Sequence, residues 1–83
     1  MSAQQMDQLG HRVDTLVDDY SERIDNSKTA SEAWLQTGYA AGVLDTLHSM
    51  GVIDLRRQQS LSINFTLRGK TKALELAMHG LIV

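Results

Sequence analysis

The stretch that most constrains this chain is 29–54, which carries a helix start, a helix stop and an apolar face between them. Thr29 and Glu32 stand in T-x-x-E order. At that spacing a threonine hydroxyl accepts from the backbone N–H three residues on while the glutamate reaches back. A helix is therefore predicted from Ala30. Gly51 follows Met50, where a left-handed residue ends a helix, and Val52 or Ile53 can supply the accompanying apolar contact. Between these signals Ala33, Trp34, Thr37, Ala40, Ala41, Leu44, Leu47 and Met50 recur at three- and four-residue steps, the face of an amphipathic helix over 30–50.

Gly38 and Gly42 lie inside that helix. Each costs about 1 kcal/mol relative to alanine in an exposed helix interior, so a packing reason is expected. With Ala41 they offer a shallow face onto which another helix backbone can close; alternatively they are tolerated beside the bulky Trp34 and Tyr39. Trp34, Leu35 and Tyr39 project from the helix and are candidate partner-binding residues.

A chain of 83 residues makes one small domain, 1–83, and a core of that size rarely supplies more than about 3–5 kcal/mol without staples or a partner. There is no cysteine, so self-association is the most available source of further stability. Over 3–25, Met6, Leu9, Val13, Leu16 and Tyr20 alternate spacings of three and four, a heptad seam that Val17 and Ile24 widen. The seam is too short for a free coiled coil, which favours a helix packed in a small bundle or dimer. The expected homodimer interface is Met6, Leu9, Val13, Leu16 and Tyr20, together with Gly38 and Gly42. The brief link Asn26–Lys28 predicts an antiparallel helical hairpin.

Beyond Gly51 two readings stand. Asp54 can cap a short helix; yet Leu61, Ile63, Phe65 and Leu67 alternate strictly with Ser62, Asn64 and Thr66, the period of a strand, which would make 52–67 a short β-hairpin. A further helix is predicted over 70–79, with Ala73, Leu74, Ala77 and Met78 on one side and Gly80 as its stop. The apolar end, Leu81, Ile82 and Val83, is expected to dock on the core, a second subunit or a partner. The fold class is thus mainly α, a small helical hairpin or bundle forming a dimer, with 54–67 a short helix or hairpin.

The net charge of −2 conceals an asymmetry: residues 1–27 hold six carboxylates against two arginines, and 52–83 hold five cations against two carboxylates. The two ends can attract each other within or between chains, or one can face an oppositely charged partner.

Residues 44–77 resemble the second half of a winged-helix domain of the MarR or PadR kind. In those families a recognition helix ends in L-x-x-x-G and two apolar residues, followed by a basic two-stranded wing and an L-T-x-x-G-[KR] step into a closing helix. Leu47 to Gly51, Val52-Ile53, Arg56-Arg57 and Phe65-Thr66-Leu67-Arg68-Gly69-Lys70 occupy those places. The resemblance implies a nucleic-acid-binding transcriptional regulator that sets Arg56, Arg57, Arg68, Lys70 and Lys72 on phosphates. Two features run against base reading. The long helix from Ala30 leaves little room for the first helix and turn. The stretch in the recognition helix's place, 38–50, has no Arg, Lys, Asn or Gln to reach base edges and carries Asp45.

No catalytic, cofactor-binding or metal site is proposed. His11, His48 and His79 are far apart with no ligand at metal spacing, and there is no P-loop, G-x-G-x-x-G or G-x-S-x-G. No stretch suits a membrane span or signal peptide, and the absence of cysteine fits a reducing compartment, so a cytoplasmic protein is expected. The favoured expectation is a non-enzymatic, dimeric, protein-binding regulator that occludes a transcription factor or other host protein, similar in kind to small phage or plasmid helical anti-activators. Its partner-binding residues would be Trp34, Leu35, Tyr39, Leu81 and Ile82, and the alternative is the nucleic-acid-binding regulator.

Overall fold

A computed structural model describes the backbone of residues 3–82 and the side chains of residues 10–79. Three α-helices follow one another: α1 (Ala3–Asp25), α2 (Ala30–Ser49) and α3 (Leu55–Ile82). The ends of α2 are made by the residues that signal them. The Thr29 hydroxyl accepts from the Glu32 N–H at 3.0 Å, and the Glu32 carboxylate accepts at 3.0 Å from the N–H of Lys28, one residue ahead of the cap. Gly51 takes φ 75°, and the N–H groups of Gly51 and Val52 donate to the carbonyls of His48 and Leu47 at 3.0 and 2.9 Å. These are the paired bonds of a Schellman end. Three residues later Asp54 Oδ1 accepts from the Arg57 N–H at 2.8 Å and starts α3.

Long-range contacts fix the helix directions. Asp45 on α2 accepts from Gln58 on α3, while Thr37, earlier on α2, meets Gly69, later on α3; α2 and α3 are antiparallel. Arg57 pairs with Asp14 and Arg68 with Asp25, both 43 residues apart, so α1 and α3 run parallel. The molecule is 55 × 19 × 15 Å. A 28-residue α3 accounts for about 42 Å of that length. Placing Asp14 level with Arg57 slides α1 about nine residues, or about 14 Å, past the start of α3. The rod is long because its helices are staggered.

The core is made by Val13 and Ile24 of α1, Ala40 and Leu44 of α2, Ile53 of the second turn and Phe65 of α3, with Val17, Tyr20, Leu47, Val52 and Leu61 packed against it. Val13 is only 2% exposed. The heptad seam of α1 is, at that position, taken up by the chain's own core.

The second half departs from expectation. Residues 55–82 form one helix, running through Gly69 and Gly80. No strand occurs among the described residues, and 70–79 is not a separate helix. The alternating run explains why. Two residues on a helix turn it by about 200°, so Leu61 and Phe65 go to one side and Ile63 and Leu67 to the other. A helix that is apolar on two opposite sides shows the same alternation as a strand, and the packing of Phe65 into the core selects the helix.

The close helix approach expected at Gly38 and Gly42 occurs elsewhere. Nothing lies within 4 Å of where a Cβ on either would stand, whereas a Cβ on Gly69 would overlap Thr37 Oγ1 and lie 3.0 Å from Thr37 Cβ. Thr37 is buried and its hydroxyl donates to the Ala33 carbonyl at 2.7 Å, which satisfies the polar group that this contact encloses. Gly69 is where α3 presses against α2.

Candidate functional site

On α2, Trp34, Leu35 and Tyr39 are 48%, 52% and 53% exposed. They do not make one patch. Leu35 and Tyr39 are four apart and share a face, while Trp34 lies about 100° round the helix, toward the side on which Thr37 meets α3. Tyr39 stands at a shallow groove lined by Tyr20 of α1 and by Gly38, Gly42, Val43, Thr46 and Leu47. The two glycines open that groove by leaving its wall without side chains. Arg23 sits over the Tyr20 ring, 5.0 Å from its centre, a cation–π contact one turn away that steadies the ring.

The residues expected at a dimer interface therefore fall into different settings. Val13 is internal, Leu16 and Tyr20 are half-buried, and Gly38 and Gly42 are exposed. Met6 and Leu9 lie in the backbone of α1, and Leu81 and Ile82 in that of α3, outside the residues whose side chains are described.

Sequence reasoning missed the outer side of α3. Ile63, Leu67, Leu74 and Met78 are 58%, 57%, 53% and 59% exposed and fall on one stripe, opposite Phe65. For Ile63 and Leu67 the available signal was the alternation at 61–67, read on a helical rather than an extended period; Leu74 and Met78 were expected on one side of a helix with Ala73, but Ala73 is buried and they face outward.

The five cations proposed for nucleic acid are not gathered into one surface. Arg57 reaches Asp14 at 2.9 Å and Arg68 reaches Asp25 at 2.6 Å. Lys72 is half-buried, lining an open cleft between α1 and α3 that also holds Asp18, Asp25 and Glu75. Arg56 and Lys70 are exposed on the outer side of α3. The charge asymmetry between the ends is thus partly met within the chain, and Arg56-Arg57 and Phe65–Lys70, the places of the wing and the step after it, lie in one helix.

Among the described residues no group of three or more His, Asp or Glu side chains is placed to hold a metal ion, and His11, His48 and His79 are each exposed. No helix among them is long and apolar enough to cross a membrane. No family model matches the chain, and neither do curated proteins or solved structures.

Proposed function

We propose that this protein works by binding another protein and obstructing it sterically, as a small regulator of a transcription factor or comparable host protein. The observation that carries this reading is that Leu35 and Tyr39, on the outer face of α2, and Trp34, on its flank, stay about half exposed although the inner face of the same helix fills the core. Large aromatic side chains of this kind are enriched in protein–protein contacts, where burying them supplies much of the binding energy. The groove beside Tyr39 offers a recess for a partner side chain.

The test is affinity capture with wild type, Trp34→Ala and Tyr39→Ala side by side. Both substitutions are at exposed positions, so helical circular dichroism should be unchanged. The expected result is one stoichiometric partner held by wild type and lost or weakened at least tenfold in a variant, in the range of a 1.4 kcal/mol hot spot. Identical capture by all three proteins would overturn the assignment to this surface.

A further inference from the structure

We infer that the outer stripe of α3 is a self-association surface, on which a second copy of this chain packs its own α3 antiparallel, with Ile63 against Met78 and Leu67 against Leu74 across a twofold axis. The inference is independent of the partner-binding reading, which uses α2.

The stripe calls for a cover. Phe65, Leu61 and their neighbours already give α3 its inward face, yet the opposite side carries four large apolar side chains, each more than half exposed. Scattered apolar residues on a surface need no explanation, but four large ones on a single helical stripe, two on each side of Lys70 and Thr71, mark an interaction site. Its spacing indicates the occupant. From Ile63 to Met78 the gaps are four, seven and four, the same in either direction. In an isologous contact residue i meets j and j meets i, so a palindromic row is complementary to itself when one helix is reversed. The axis then passes between Lys70 and Thr71, and no apolar member of the row is left facing a polar one.

The area is that of a weak dimer. A contact over 62–79, symmetric about the same point, runs for about 27 Å, and half the girth of a helix about 11 Å across is about 17 Å. Each copy would lose about 460 Å² to the contact, and the pair about 920 Å², at the low end of specific interfaces, so association is expected at high micromolar concentration. Lys70 is the one charge in the middle of the row. Exposed at its edge, it would lie near its counterpart from the second copy, where water and salt screen the repulsion. The α1 seam cannot offer the same surface, because its Val13 is enclosed in the core.

The test combines mass and geometry on the full chain. Light scattering at high micromolar concentration should give twice the 9.2 kDa of one chain, and Leu67→Asp with Leu74→Asp should return it to one chain with unchanged helical content. Trp34→Ala and Tyr39→Ala should leave the mass doubled, so failure of the partner surface and failure of this one are separable. The chain has no cysteine, so introduced thiols report cleanly. In a mixture, Leu67→Cys and Leu74→Cys chains should form the mixed disulfide and little of either symmetric one, since residue 67 of two antiparallel copies would be about 10 Å apart along the axis, beyond disulfide reach. A wild-type mass of one chain, a doubled mass that survives both aspartates, or a predominance of symmetric disulfides would each overturn the inference.

Discussion

The helices α2 and α3 differ in how they are specified. Helix α2 is marked at both ends by groups within a few residues of one another: Thr29 with Glu32, and Gly51 with the carbonyls of Leu47 and His48. Helix α3 has a local start at Asp54, but its course through 61–67 and across Gly69 depends on residues far away in the chain. Phe65 must meet Ala40 and Leu44, and Gly69 must meet Thr37. One helix follows from local chemistry, whereas the other follows from the partner against which it lies.

The largest effect should come from removing the contact that holds α3 to the core. Phe65→Ala leaves a void beside Leu44 and Ala40, and a buried phenylalanine replaced by alanine costs about 3–5 kcal/mol. For a domain of this size that approaches the whole stability. Ile63→Ala, two residues earlier and outward, should cost well under half as much when measured in dilute solution. Urea unfolding followed by circular dichroism compares the two. Equal losses would mean that α3 does not have one inward and one outward apolar face.

The glycines sharpen the comparison at a smaller scale. Gly69→Ala drives a methyl into Thr37, and overpacking of this kind costs about 1–3 kcal/mol. Thr37→Ala in the same chain should recover part of it, giving a favourable coupling in a double-mutant cycle. Gly38→Ala and Gly42→Ala should instead stabilise α2 by up to about 1 kcal/mol each, since nothing occupies the space beside them. Thermal midpoints of the four single variants would show whether the glycine that matters lies on α3.

These contrasts also mark what could be read from residues alone. The caps of α2 and the Asp54 cap were legible because a helix end is a matter of a few adjacent groups. The continuity of α3 was not, since Leu61 to Leu67 satisfies both a strand and a two-faced helix, and only the position of α2 decides between them. The seam at Val13 was legible as a seam, but spacing does not say whose helix it faces, and here it is the chain's own. In the same way a glycine in a helix announces a special site without revealing whether a neighbour stands there. Trp34, Leu35 and Tyr39 could be named as projecting residues, whereas the Ile63 and Leu67 half of the row on α3 stayed hidden behind the strand-like period.

The smallest effect concerns the hold of α1 on α3. Asp14 and Asp25 meet Arg57 and Arg68 three helical turns apart, but the side chains are 46–68% and 45–51% exposed respectively, and exposed pairs contribute only about 0–1 kcal/mol. Asp14→Asn and Asp25→Asn should each lower stability by no more than that, with the loss shrinking as salt rises toward 1 M. The same variants test whether the cations do other work. A protein-binding regulator should show no binding to duplex DNA at low salt, in wild type or in either variant. If the cations served phosphates, freeing them would raise affinity and steepen its log–log salt slope by about 0.9 per added contact. A flat, salt-independent absence of binding in the double variant would leave Arg57 and Arg68 as ties between α1 and α3. Affinity rising with each asparagine would show instead that α1 shields a nucleic-acid surface on α3.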